Sequence, residues 1–488
     1  MCGIVGVISK EDSVSPELAK LSQEVQHRGE DTAGICTIEK KGKVHLHKKT
    51  GLVRDVFDPN KGVLERLIGN VGLGHVRYRT FGGSGNKNAQ PFYSKAEDGS
   101  IFGIGDNGHV ENAKRLGKDL ENRFKFKSTN DIEHILYTLI DGWNNTKEEM
   151  FEDKLKKSVK NVLEKVSGGY FCVGTLNHKN RNYLFAFKDP LGIRPGLIGF
   201  KDNMVAFSSE SNALENNGYR AITDLNPGDL VVVDEHTVIS WKPIMRSGSK
   251  MCHFEFPYFS RASSVIYGRV INDIRHHLGK KLAEENKDLW DKIDVVTYVP
   301  NSPLEMARSF AETIGKLEKY KTAIEKNRYA GRVFLKERQE LREDEAERAF
   351  VILPGIVEGK RVAVVDDSIV RGTNAIIIVR KLLEAGAREV YLLSCTPPIK
   401  YGCTYGVDMK TPAELAAGNR NIMQIKKYIG ADSVRYISMN GYFNVLCDGN
   451  RKLLEDKVHR GVFNGAAYKE MTPSDFCNHC LTGKKPTT

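Results

Sequence analysis

The chain has 488 residues, enough for two or three domains at the usual ~100–200 residues each, and its 40% hydrophobic and 28% charged content is that of a soluble globular protein with an ample core. A net charge of +11 points to anionic partners, but the Lys and Arg are dispersed without interleaved aromatics, which favours a phosphorylated small molecule over nucleic acid. No apolar run approaches the ~18–20 residues of a membrane helix, acidic and polar residues after the first short apolar run argue against a secretory signal, and nine Cys in so long a chain do not suggest a disulfide scaffold, so the expected compartment is a reducing cytoplasm.

The chain opens Met-Cys-Gly-Ile-Val-Gly. Removal of Met1 would make Cys2 the first residue, placing a thiol (ordinary pKa ~8.5) beside a free α-amine (~7.7–8.0). Such an amine can serve as general base for its own side-chain nucleophile. The competing reading is a small, buried Cys at a strand start.

Up to about residue 240, short β-runs are expected at 3–8, 33–38, 71–76, 101–105, 169–176, 183–188, 204–208 and 230–234. Two helices are expected at 16–26 and 130–142, where apolar residues recur at helical spacing. Many strands with few helices predict a layered α+β sandwich over 2–240. Near 247–255 the pattern changes. Apolar strands at 294–299, 361–365 and 389–394 alternate with helices at 305–315 and 374–384, which predicts a buried parallel sheet over 250–470. Residues 326–348 are dense in charge and read as a solvated segment or a mobile active-site flap. A short tail, 471–488, carries Cys-x-x-Cys.

Several blocks of the first half suit the splitting of a carboxamide. Arg77 ends an apolar strand, where it could clamp a carboxylate or simply face solvent. Asp106-Asn107-Gly108 reads as a turn whose Asn107 amide and Gly108 N–H could donate to an oxyanion. Asp131, at a helix start, could receive an ammonium or act only as an N-cap.

Taken together, Met1–Gly6, His27-Arg28-Gly29, Gly74-His75-Val76-Arg77-Tyr78, Asn107-Gly108 and Asp131 resemble the class II glutamine amidotransferase domain, an N-terminal-nucleophile (Ntn) hydrolase sandwich. The resemblance implies that Cys2 is the nucleophile, Asn107 and Gly108 form the oxyanion hole, and Arg77 and Asp131 hold glutamine. The chain departs from the family pattern at Arg79, Asp106, His109 and Glu30.

The most specific signal is Arg361-Val-Ala-Val-Val-Asp366-Asp367-Ser368-Ile-Val-Arg371-Gly372-Thr373-Asn374. An apolar strand runs into two carboxylates, then a Ser/Gly/Thr loop that opens a helix. The loop and helix N-terminus suit a phosphate monoester, and the carboxylates suit ribose hydroxyls or Mg²⁺. No Gly-Lys-Ser/Thr or Gly-x-Gly-x-x-Gly occurs there. This stretch resembles the phosphoribosyl pyrophosphate motif of type I phosphoribosyltransferases, an α/β fold.

With both halves, the whole chain resembles the glutamine phosphoribosylpyrophosphate amidotransferase (amidophosphoribosyltransferase) family. That implies an enzyme making 5-phosphoribosylamine from glutamine and phosphoribosyl pyrophosphate, with purine nucleotides as inhibitors, a homo-oligomeric state, and no nucleic acid or membrane partner. It further implies that Ser368, Arg371, Gly372, Thr373, Lys326 and Arg332 contact phosphoribosyl pyrophosphate, and that Ser302, Asp366 and Asp367 hold Mg²⁺. Further departures at Asn301 and Asn374 leave open a paralogue that aminates another phosphoribosylated acceptor, or a nucleotide-binding regulator.

Cys477 and Cys480 alone would suit zinc or an iron–sulfur cluster. Cys252 and Cys403 complete the positions matching the iron–sulfur subset of the family, so the resemblance implies a [4Fe–4S] cluster, with zinc the alternative. Cys36, Cys172, Cys395 and Cys447 read as buried apolar residues.

Overall fold

The computed structural model describes residues 2–10, 13–79, 82–83, 85–327, 347–409, 411–448, 462–463 and 470–486. Two antiparallel sheets stack in the first half. One has the order β11-β9-β10-β1-β4-β2-β3, built from β1 (Gly3–Ser9), β2 (Thr32–Ile38), β3 (Val44–Thr50), β4 (Val71–Arg77), β9 (Leu197–Lys201), β10 (Met204–Ser208) and β11 (Arg220–Asp224). The other, in the order β13-β12-β8-β7-β6-β5, comprises β5 (Phe92–Lys95), β6 (Ile101–Val110), β7 (Gly168–His178), β8 (Arg181–Lys188), β12 (Asp229–Val233) and β13 (Val238–Pro243).

Ile4, Leu73, Phe171, Val173 and Leu184 fill the space between the sheets. The outer faces are covered by α1 (Ser15–Glu24) on one side, and by α2 (Ala113–Leu120), α3 (Ile132–Asn144) and α4 (Phe151–Lys165) on the other. Both faces of each sheet are therefore buried. That explains why β1, β2 and β4 are buried along their whole length instead of alternating.

The second half contains a four-stranded parallel sheet in sequence order: β14 (Val295–Tyr298), β15 (Arg361–Asp366), β16 (Glu389–Ser394) and β17 (Ser433–Tyr436). Around it lie α5 (Ile271–Glu284), α6 (Leu304–Thr313), α7 (Thr373–Glu384), α8 (Ile422–Ile429) and α9 (Met439–Asp448). Ile193 of the first half joins Phe254, Ile271, Val365 and Phe476 in one continuous core. The chain also returns late to the first sheet: Ile222 of β11 pairs with Phe463, and its N–H donates to the Val462 carbonyl at 3.0 Å.

The expected layered sandwich and parallel sheet are both present, but three local expectations need correction. Asn107 and Gly108 lie inside the long strand β6, paired with Phe171 and Tyr170 of β7, and not in a turn. A Cβ at Gly108 would come 2.5 Å from Tyr170 Cβ, so glycine is there to let two strands approach closely. Arg77 is 3% exposed and is not a solvent-facing side chain. Cys447 is only half-buried, whereas Cys36, Cys172 and Cys395 are buried as expected.

Candidate active sites

β1 begins one residue after Cys2, and β6 lies in the sheet stacked beneath it. Cys2 is 6% exposed and its Sγ lies 3.6 Å from the Tyr78 carbonyl. The Asn107 amide sits against the Cys2 backbone. In the orientation its neighbours favour, Nδ2 donates to the Cys2 carbonyl at 3.0 Å and Oδ1 accepts from Arg28 at 3.1 Å. A further bond to the Cys2 carbonyl, 3.1 Å, comes from Arg28 Nε.

Arg28 is fully buried and spans two carboxylates, Glu210 (2.5 Å) and Glu255 (3.0 Å). Burial works against its charge, but Glu255 and Glu210 outweigh it, and the guanidinium is held more firmly protonated than usual. Burial also opposes ionisation of Glu210, yet His27 and Arg28 keep it well below the usual carboxylate range. Sequence reasoning placed Arg28 and Glu255 only in motif blocks, with no role for either, and missed Glu210, which lies about 180 residues from Arg28 and reveals itself only by proximity.

Asp131 is positioned at the start of α3 but makes no capping bond to its own helix. Its Oδ2 instead accepts from the Val110 N–H (2.9 Å) and contacts His109 Nδ1 (3.0 Å). The carboxylate is thus turned away from its own helix and toward the end of β6, two residues beyond Gly108. Arg77, the last residue of β4, donates to the Gly83 carbonyl at 3.0 Å.

Asp106 points to the opposite side of β6 from Asn107. Its carboxylate accepts from Gln90 Nε2 at 2.8 Å, and its N–H donates to Gln90 Oε1 at 2.9 Å. Burial first, then the charges of Asp131 and Cys2, push the Asp106 carboxyl up to about 7. His75 Nε2 lies 2.9 Å from the Asp106 carbonyl, and burial lowers its imidazole to about 4, so the neutral ring donates there. Strand β6 thus meets Cys2 at Asn107 and Asp131 at His109 and Val110, and Arg77 ends β4, the neighbour of β1.

The second site lies where β15 turns into α7. Asp366 and Asp367 are 8% and 7% exposed. Ser368 Oγ donates to Asp367 at 2.8 Å, and Ser302 hydrogen-bonds the same carboxylate. Burial raises both carboxyls; the Asp367 charge lifts Asp366 further, while Asp367 itself is held at about 6. Gly372 caps α7 with φ +83°, a left-handed conformation that suits glycine, and leaves the helix without a side-chain cap. The first-turn N–H groups, at Thr373 and beyond, are therefore available to an anion.

Arg371 is held beside this loop by the Asp408 carbonyl (2.9 Å) and Glu414 (3.2 Å). Lys326 is exposed at the end of the short strand Ile324–Lys326. Arg332 and most of the expected flap lie outside the described residues. The two sites adjoin: Tyr78, next to Arg77, is close enough to Asp408 and Arg371 to feel their charges.

Cys252 and Cys477 face each other across a parallel strand pair, Met251–Cys252 with Phe476–Cys477. Cys480 Sγ lies 3.2 Å from His253 Nε2, and Cys403 Sγ accepts from the Tyr405 N–H at 3.3 Å. Burial raises the Cys252 thiol to about 12 and the Cys477 thiol to about 11, and the four sulfurs lie near enough to act on one another. Among the described residues, no three His, Cys, Asp or Glu side chains converge as a group that would hold a metal ion.

A buried Cys2 beside a stacked antiparallel sandwich, joined to a parallel sheet whose strand β15 runs through two buried carboxyls into the glycine-capped helix α7, is the architecture of a glutamine amidotransferase carried on a phosphoribosyltransferase-type domain. A family model described as a glutamine amidotransferase domain matches residues 75–216. An amidophosphoribosyltransferase of Methanocaldococcus jannaschii is 35% identical over 504 residues, covering 100% of this chain and 98% of its own. One from Bacillus subtilis is 33% identical, covering 100% and 94%, and one from Escherichia coli is 34% identical, covering 95% and 92%. The solved structure of the B. subtilis glutamine phosphoribosylpyrophosphate amidotransferase complexed with ADP and GMP superposes with a TM-score of 0.83 at 31% identity, covering 100% of this chain and 98% of that one. The chain belongs to the amidophosphoribosyltransferase family. No helix among the described residues is long and apolar enough to cross a membrane.

Proposed function

We infer that this chain catalyses the first step of purine synthesis, transferring glutamine nitrogen to phosphoribosyl pyrophosphate to give 5-phosphoribosylamine. The observation that carries the reading is the joining, on one chain, of Cys2, held against the Asn107 amide, to the Asp366–Asp367 loop, with Tyr78 between them.

With Met1 removed, the Cys2 α-amine takes the thiol proton and the thiolate attacks the glutamine carboxamide carbon. Negative charge develops on the amide oxygen, where the Asn107 amide and Gly108 N–H donate. Arg77 pairs with the substrate carboxylate, and the free oxygen of Asp131 pairs with its ammonium. The protonated amine returns its proton to the leaving nitrogen, ammonia departs, and water cleaves the thioester to glutamate. In the second site ammonia attacks C1 of phosphoribosyl pyrophosphate and pyrophosphate leaves. The Ser368–Thr373 loop receives the 5′-phosphate.

The paired, buried carboxyls of Asp366 and Asp367 with Ser302 fit Mg²⁺, which would neutralise the pyrophosphate. Lys326 and Arg332 supply cationic contacts to phosphate. Cys252, Cys403, Cys477 and Cys480, near enough to act on one another, would supply the thiolates of a [4Fe–4S] cluster, with zinc the alternative that the same donors would take. ADP and GMP in the solved relative support purine nucleotides as effectors here. A cytoplasmic, homo-oligomeric enzyme is the accompanying expectation.

The test is pyrophosphate release with glutamine or with ammonium as nitrogen donor. Cys2→Ala is expected to lose glutamine-driven release and to retain ammonium-driven release. Glutamine-driven turnover in that variant would overturn the reading.

A further inference from the structure

One turn touches all three of the sites described above. Cys403, at its start, is one of the four thiols near enough to act on one another, and its own N–H donates to the Met409 carbonyl at 2.7 Å, closing the turn on itself. Asp408, at its end, holds Arg371 of the phosphate loop through its carbonyl at 2.9 Å. Between them Gly406 lies flat against the oxyanion strand of the other domain. A Cβ built there would sit 3.0 Å from His109 Cβ, 3.1 Å from an Arg194 guanidinium nitrogen and 3.4 Å from the Gly108 carbonyl oxygen, and the backbone has φ +93°.

The turn is gripped from within as well. The fully buried Arg194 donates to the Tyr405 carbonyl and faces Glu255 at 3.7 Å. Glu255 in turn binds Arg28, which bonds the Cys2 carbonyl at 3.1 Å. The turn therefore meets the glutaminase site directly at the Gly108–His109 peptide and is linked to the Cys2 carbonyl through Arg194, Glu255 and Arg28. Both groups it reaches do more than pack. Gly108 carries an oxyanion N–H in the reading above, and His109 contacts Asp131, the group assigned to the glutamine ammonium, at 3.0 Å.

We propose that Gly406 is a positioning residue for the glutaminase reaction: the 403–408 turn seats on the Gly108–His109 peptide and holds the oxyanion donor and Asp131 in register. This inference rests on the roles assigned above to Cys2, Gly108 and Asp131. A side chain at position 406, in a backbone conformation that L residues rarely adopt, presses on His109 and on the Arg194 guanidinium that holds the turn, and so shifts the adjoining Gly108–His109 peptide without touching the nucleophile, the phosphate loop or the acidic pair. The damage should fall on glutamine use alone, in both kcat, through Gly108, and KM for glutamine, through Asp131.

The experiment measures pyrophosphate release by the full-length protein with saturating phosphoribosyl pyrophosphate and Mg²⁺, titrating glutamine and, separately, ammonium. Gly406→Ala is compared with Gly355→Ala, at a glycine with no neighbour within 4 Å and no positive φ. The expected result for Gly406→Ala is at least a tenfold fall in the ratio of glutamine-driven to ammonium-driven kcat, with a raised glutamine KM. Ammonium kinetics, iron content and the number of reactive thiols should stay as in the parent. Arg194→Lys, which leaves the backbone at 406 unstrained, should show the same selective loss and decides the matter if Gly406→Ala does not fold. An unchanged ratio in a folded Gly406→Ala, or in Arg194→Lys, overturns the proposal, as does an equal fall in both activities. Cys2→Ala separates the two levels: if that variant still uses glutamine, the underlying assignment of the site fails, whereas its inactivity beside an unimpaired Gly406→Ala removes only the positioning role.

Discussion

Replacing Asp106 with Asn should change how stability depends on pH. The buried carboxyl holds its proton up to about 7 in the folded protein, against an ordinary 3.8 when the chain is unfolded. Between those values the folded state binds more protons than the unfolded one, so this group's contribution is fully present below 3.8 and is lost as pH rises towards 7. At ~1.36 kcal/mol per pH unit the span sets a ceiling of ~4 kcal/mol. Asp131 and Cys2 share in the elevation, so removing the Asp106 carboxyl alone should recover ~2 kcal/mol of it. The substituted amide keeps the Gln90 bond, since its carbonyl can still accept from Nε2. The assay is urea unfolding followed by tryptophan fluorescence at pH 4.5 and pH 8. Trp143, packed edge-on against Phe102 of the same strand at 5.2 Å, is a local reporter. Relative to the parent, Asp106→Asn should gain ~2 kcal/mol on going from the lower to the higher pH. Parallel pH profiles for the two proteins would refute the argument.

Removing the Arg28 guanidinium, as in Arg28→Met, leaves Glu210 and Glu255 buried against each other and should lower unfolding stability by ~3–5 kcal/mol in urea melts; a loss under ~1 kcal/mol would mean the two carboxylates find other partners. Asp367→Asn should abolish pyrophosphate release with either nitrogen donor. In metal-free buffer at pH 8 the same variant should be more stable by ~1 kcal/mol, because it relieves two crowded buried carboxyls, and a destabilised variant would contradict that. Gly372→Ala forces a Cβ into a left-handed position 3.2 Å from the Tyr428 ring, and should raise KM for phosphoribosyl pyrophosphate about tenfold, a ~1.4 kcal/mol effect, with little change in glutamine KM.

The parts of the two sites that are contiguous in sequence were legible in it. Asp366 through Thr373 is one strand, loop and helix start, and local chemistry alone marks it as an anion site. Cys2, Arg77 and Asp131 were legible only as a set, because each has an ordinary structural use on its own. What stayed hidden depends on distant pairing. Asn107-Gly108 looks like a turn because the same dipeptide is the commonest tight-turn signal, and only the ten-residue pairing of β6 with β7 makes it strand interior. Glu210 and Gln90 carry no pattern of their own, and Glu255 showed only as part of a motif block; each matters through partners that the sequence does not set beside it. Helix α5, Ile271–Glu284, escaped because its apolar positions are interrupted by His and Lys that reach solvent.

The late return of the chain to the first sheet bears on how the protein is made. Sheet edges left unpaired invite association with other chains. At β11 that edge meets Phe463 and the Val462 carbonyl, residues the ribosome delivers about 240 positions after Ile222. Arg28 likewise waits for Glu255 before its charge is fully answered. During synthesis, then, the amino-terminal sandwich stands with one open border and one half-paired buried cation. An early stop at the apparent junction near residue 240 should release a sticky, aggregation-prone fragment and not a self-sufficient glutaminase.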